Sequence, residues 1–178
     1  MMRYAMAIDT KRCVGCSDCV VACQTENKVP IGFCRDWIVE TTTGTYPQLQ
    51  MEIRSERCNH CTDAPCVRAC PTKASHYGAG GIVTVDHEEC IGCKACIASC
   101  PYDARYVHPE GYVDKCTFCI HRVEHGEHPA CVAVCPTHAM TFGDMDDRMS
   151  DIYKLVSSRK WKTLIPEAGT KPNIYYLI

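Results

Sequence analysis

The sequence predicts a small α+β fold of two intertwined modules, in which short strands and short helices surround cysteine-bearing loops. Three observations predict it. Seventeen of 178 residues are cysteine, a fraction normally reached only by disulfide scaffolds and metal proteins. Sixteen of them fall into four groups of one spacing pattern. Between the groups lie short stretches with strand periodicity, and a clear helical period emerges only in the tail. Three Phe and two Trp leave little material for a large aromatic core.

The first group is "CVGCSDCVVAC", with Cys13, Cys16, Cys19 and Cys23. The second, "CNHCTDAPCVRACP", holds Cys58, Cys61, Cys66 and Cys70. The third, "CIGCKACIASCP", holds Cys90, Cys93, Cys96 and Cys100. The fourth, "CTFCIHRVEHGEHPACVAVCP", holds Cys116, Cys119, Cys131 and Cys135. Each group opens with C-x2-C and closes with C-x3-C, so the sequence is an internal repeat of a metal-binding loop followed by a short helix. The run C-x2-C-x2-C-x3-C-P is the bacterial 4Fe–4S signature, in which the fourth cysteine serves the other cluster of a pair. Such a loop is tight enough to set three thiolates on three corners of one cube. Gly15 and Gly92 allow a positive φ where the backbone turns close to it. Proline after the fourth cysteine ends the local hydrogen-bonding pattern. Cys23 lacks that proline and is followed by "QTEN", so its helix is expected to run further.

Two other readings of the cysteines fare worse. Disulfides would have to form between cysteines separated by only two or three residues and would leave the repeat accidental. Structural zinc prefers two C-x2-C pairs set well apart, a pattern that only the fourth group approaches. Cys34 stands outside the groups and is expected to be a small apolar filler. Among the eight His, His60 in "CNHC" is the one expected near a cluster.

Between the groups, "TTTGTYPQLQMEIRSE" alternates near Leu49, Met51 and Ile53 and predicts a strand. "GGIVTVDHEE" predicts a strand entering the third group, and "RYVHPEGYVDKC" a hairpin turned at Pro109–Gly111. The period of Met149, Ile152, Leu155 and Val156 predicts a helix, with Ser150 or Asp147 as its cap. "GDMDDRMSD" reads as a solvated turn leading into it. "IPEAGTKPNIYYLI" predicts an extended end that either docks on something or closes the chain's own surface.

Charge and hydropathy exclude several classes. A formal charge of −2 without a basic cluster gives no reason to expect nucleic acid. No apolar run nears the roughly 18 residues of a membrane span. "MMRYAMAIDTKRC" is too short in apolar residues for a signal peptide, so a soluble chain with no export address of its own is expected. No Ser–His–Asp set, Gly-rich phosphate loop or carboxylate pair stands out, which points away from a catalytic role.

The order and spacing of the groups, with "RYAMAID", "CPYDARYVHP", "KCTFC" and "PEAGTKP…YYL", resemble the four-cluster electron-transfer subunits of bacterial molybdopterin oxidoreductases. The resemblance is closest to the polysulfide and thiosulfate reductase type. Dimethyl sulfoxide, tetrathionate and arsenate reductases have similar subunits. Formate dehydrogenase has a related one with an appended membrane helix. The resemblance implies two ferredoxin-like modules, residues 1–30 with 106–143 and residues 31–105, the second carrying a strand-rich insertion at 31–53. Residues 144–178 would form a helix and docking tail. It implies four 4Fe–4S clusters with shared ligands: Cys13, Cys16 and Cys19 with Cys135; Cys116, Cys119 and Cys131 with Cys23; Cys58, Cys61 and Cys66 with Cys100; Cys90, Cys93 and Cys96 with Cys70. Some relatives carry Trp in place of one third-group cysteine and hold a 3Fe–4S cluster; Cys93 is present here. The first group's cluster would face a molybdopterin catalytic subunit and the third group's an integral membrane, quinone-reactive subunit. The chain would carry single electrons between them in anaerobic respiration. Its expected place is the periplasmic face, reached as a folded passenger of a twin-arginine partner, with the cytoplasmic face as the other possibility. The competing functions are a free-standing cytoplasmic polyferredoxin and a zinc-stabilised scaffold without a redox role.

Overall fold

A computed structural model describes residues 2–178. Strand β1 (Tyr4–Asp9) lies inside a four-stranded sheet with β8 (Met140–Asp144), β9 (Trp161–Lys162) and β10 (Ile174–Leu177), in the order β8-β1-β10-β9. Its sequence, YAMAID, explains that place. Met6 and Ile8 project into the main core, whereas Ala5 and Ala7 leave room on the other face for helix α6 (Asp151–Ser158). Neighbouring β10 divides the same way, with Ile174 and Tyr176 on one face and Tyr175 and Leu177 on the other. This is the period-2 alternation of a strand covered on both sides. The closing tail was expected either to dock elsewhere or to close the chain's own surface. Its last strand takes the second place, pairing parallel to β1 from Met6↔Ile174 to Asp9↔Leu177.

Of the two candidate caps for α6, Ser150 fills the role. Its Oγ accepts from the Tyr153 amide at 3.2 Å and donates to the Asp144 and Asp147 carbonyls at 2.6 and 2.8 Å. Ser150→Ala is expected to cost about 1 kcal/mol, read from chemical denaturation of the cluster-loaded protein.

The stretch around Leu49 holds two strands where one was expected. Strand β2 (Asp36–Thr45) pairs with β3 (Gln48–Arg57) in a ten-residue antiparallel ribbon from Asp36↔Arg57 to Thr45↔Gln48. Its tip projects beyond the body, so the Leu49–Met51 alternation buries nothing there: these residues are 55 % and 64 % exposed. Shorter ribbons complete the strands: β4 (Ser75–Tyr77) with β5 (Val83–Val85), and β6 (Tyr106–Val107) with β7 (Val113–Asp114). The latter is the expected hairpin turned before Gly111, whose amide reaches the His108 carbonyl.

Each cysteine group carries helix. Helix α1 (Asp18–Glu26) spans nine residues, while α2 (Pro65–Arg68), α3 (Ala95–Ala98) and α5 (Ala130–Ala133) span four. The short ones stop before Pro71, Pro101 and Pro136; the long one has no proline to end it. A further four-residue turn, α4 (Ile120–Val123), follows Cys119. Helices α1 and α5 pack together, as do α2 and α3. No helix among the described residues is long and apolar enough to cross a membrane.

Candidate iron–sulfur sites

The four C-x2-C loops share one backbone turn. At the residue before the second cysteine, Gly15, His60, Gly92 and Phe118 all have positive φ, at 68°, 42°, 65° and 52°. Glycine adopts this at no steric cost. His60 and Phe118 offset the strain by stacking on each other, with ring centroids 3.7 Å apart. His60 is fully buried. Its Nδ1 accepts from the Val83 amide at 3.2 Å, and burial together with nearby Lys115 and Arg105 lowers its pKa far enough to keep it neutral.

Folding gathers the sixteen cysteines into four cages. Cage 1 is a cleft lined by Cys13, Cys16, Cys19 and Cys135. Cage 2 is lined by Cys23, Cys116, Cys119 and Cys131. In cage 3, Cys61 faces Cys58, Cys66 and Cys100. Cage 4 is lined by Cys70, Cys90, Cys93 and Cys96. Every cage thus draws three cysteines from one group and the fourth from another. The C-x3-C helices do this: α1 sends Cys19 into cage 1 and Cys23 into cage 2, one turn on. A single tetrahedral ion holds its thiolates at about 2.3 Å. Among the described residues no three His, Cys, Asp or Glu converge that closely. Sites walled by four sulfurs suit an inorganic cluster.

Hydrogen bonds aim at the sulfurs. Backbone amides of Ser75, Val113, Phe118 and Ala139 donate to Cys70, Cys90, Cys116 and Cys135 at 3.3–3.4 Å. Asn27 reaches Cys23 and Cys119 at 3.6 and 3.7 Å. Burial pushes the thiols of Cys19, Cys61 and Cys116 up to about 12. Such thiols need a positive centre to hold them ionised.

Cys34 belongs to no cage and is exposed, so it is not a buried filler. It lies in the loop before β2, where neighbouring Ile31 is fully exposed.

Sequence reasoning missed the basic side chains between the cages. Arg57 is buried at the base of the β2–β3 ribbon and pairs with Asp36 at 2.8 Å. Its Nη1 donates to Cys131 at 2.8 Å. Ser55 bridges Arg57 and Asp36 and accepts from Cys19 at 3.7 Å. Arg105 donates to Cys66 at 2.8 Å and to Ser75 at 2.9 Å. Lys115 Nζ donates to the carbonyls of Val83 and Cys116. A signal existed, since Arg57 and Lys115 each immediately precede the first cysteine of a group. So does Arg12, yet it is exposed, and the pattern alone does not separate them.

A polypeptide that walls several cavities with thiols and aims amide donors at them is an iron–sulfur protein. A family model described as "4Fe-4S dicluster domain" matches residues 49–145, and this protein belongs to that family. It is 44 % identical to one chain of the polysulfide reductase of Wolinella succinogenes, over 97 % of this protein and 93 % of that one. It is 44 % identical to one subunit of the tetrathionate reductase of Salmonella typhimurium, covering 98 % and 72 %. With the iron–sulfur subunit of the putative dimethyl sulfoxide reductase of Halobacterium salinarum, identity is 38 % over 99 % and 79 %. The protein binds several 4Fe–4S clusters.

Proposed function

We propose that each cage holds one 4Fe–4S cluster and that the chain relays single electrons between a molybdopterin catalytic subunit and an integral membrane, quinone-reactive subunit. A polysulfide or thiosulfate reductase is the favoured setting, given the likeness to the Wolinella polysulfide reductase chain. The observation that carries the relay is where the exposed thiols lie. Cys16 in cage 1 and Cys93 in cage 4 are exposed, whereas the cysteines of cage 2 are all buried and those of cage 3 buried or nearly so. Apolar Val14 and Ile91 stand exposed beside the two surface thiols, as docking rims would.

A bound 4Fe–4S cluster takes up and returns one electron. The chain's own residues hold it through four thiolates, donate amide hydrogen bonds to those sulfurs and keep water from the inner cages. Bond-making chemistry then belongs to the partner, and this subunit is non-catalytic. The shared cysteines, with α1 against α5 and α2 against α3, support two ferredoxin-like modules, one built from groups one and four and the other from groups two and three. Residence on the periplasmic face, after export with a twin-arginine partner, completes the proposal. Deleting the partner's signal should strand this chain in the cytoplasm.

Anaerobic purification tests the core of the reading. A brown complex with about sixteen iron and sixteen sulfide per chain, containing both partners, is the expected result. Colourless zinc protein, or a brown chain that always emerges alone, would overturn it. Gly92→Ala supplies a finer check. Its Cβ would overlap the Gly111 carbonyl oxygen, at a φ that disfavours side chains. About one cluster's worth of iron should be lost, with the signal of cage 4 missing from the EPR spectrum.

A further inference from the structure

Arg57, Lys115 and Arg105 are the buried arginine and lysine side chains among the described residues, at 1 %, 1 % and 5 % exposure. A cation inside a protein is costly unless an anion faces it. Arg57 has Asp36. For Lys115 and Arg105, no carboxylate among the described residues lies within ion-pair reach. Nε and Nη1 of Arg105, and Nε of Arg57, are also buried without a hydrogen-bond partner. Two buried cations without a carboxylate, Arg105 with idle donors besides, point to anions that the polypeptide itself does not supply.

Their positions follow a pattern. Arg57 bonds Cys131 of cage 2 and reaches Cys19 of cage 1 through Ser55. Lys115 bonds the carbonyl of Cys116 in cage 2, and its charge couples to Cys58 and Cys66 of cage 3. Arg105 bonds Cys66 of cage 3, and its charge couples to Cys96 of cage 4. One cation therefore stands at each junction along the order cage 1, cage 2, cage 3, cage 4.

We propose that Arg57, Lys115 and Arg105 each occupy one gap of the relay and raise the reduction potentials of the clusters on both sides, while Asp36 offsets that effect at the first gap alone. This rests on the reading that each cage holds one 4Fe–4S cluster. With four thiolates an oxidised cluster is dianionic, and reduction adds one more negative charge. A fixed cation in a medium of low dielectric favours that step and a carboxylate opposes it. Cage 3 faces two cations that lack a carboxylate, whereas cage 1 faces only the neutralised pair. The same cations offset the repulsion between neighbouring clusters.

The test is an EPR-monitored redox titration of the anaerobically purified complex, with iron measured alongside. Arg105→Gln should shift two of the four transitions downward and leave the other two in place, and Arg105→Lys should restore most of the shift. Asp36→Asn, which keeps its volume, should move the opposite pair upward. Full iron with unmoved potentials in both Arg105→Gln and Asp36→Asn overturns the proposal, as does a uniform shift of all four transitions. Should Arg105→Gln lose iron, Asp36→Asn decides alone, because the expected upward shift requires only that one charge be removed. Fewer than four clusters in the unaltered chain, read from its iron content, would count against the four-cluster reading itself.

Discussion

Stripping the iron under anaerobic conditions, by chelation at mild denaturant, should unfold the protein outright. Seven cysteines belong to the main buried core, so removing the clusters opens voids where the fold needs density. Each cage also ties distant parts of the chain together: Cys13 to Cys135, Cys23 to Cys116. Without iron, these ties vanish and the thiols face one another across empty space. Metal binding is then folding free energy. The smaller core between the sheet and α6, with Ala5, Ala7, Ile152 and Leu177, contains no cysteine, and any residual structure should be confined to it. Far-UV circular dichroism and calorimetry check this. A cluster-free protein that keeps native secondary structure and a cooperative transition would show that the polypeptide core holds itself.

Replacing Arg57 by Met should be the most damaging single substitution outside the cysteines. It leaves Asp36, 2 % exposed, buried beside thiolates with no cation. Breaking a buried pair from one side costs about 3–5 kcal/mol, and here the orphaned charge is the one that repels the neighbouring cages. Asp36→Asn should cost far less, because Arg57 then still faces anionic sulfur. Arg57→Met combined with Asp36→Leu should recover much of the loss. Thermal unfolding of the loaded proteins, with Asp36→Leu added to complete a double-mutant cycle, measures the coupling. Equal losses from Arg57→Met and Asp36→Leu would show that the pair, and not the sulfur around it, sets the balance.

What the sequence by itself determined is local. The spacing of the cysteines specified the cofactor, because three thiolates within a few residues can meet only a compact centre. The missing proline after Cys23 gave α1 its extra length, and the period of Ile152, Leu155 and Val156 with Ser150 placed α6. The β6–β7 hairpin was likewise readable from Pro109 and Gly111. Tertiary structure decided what depends on partners far along the chain. The Leu49–Met51 alternation predicted a strand, and the ribbon that carries it leaves both residues in solvent. Cys34 looked like core and is exposed, since burial belongs to the surroundings and not to the residue. The end of the chain became an inner strand only because Ile174–Leu177 finds β1 already placed. Arg57, Lys115 and Arg105 were not singled out in sequence; register and cage packing draw them inward, where a charge acts through a low dielectric on whatever lies beside it.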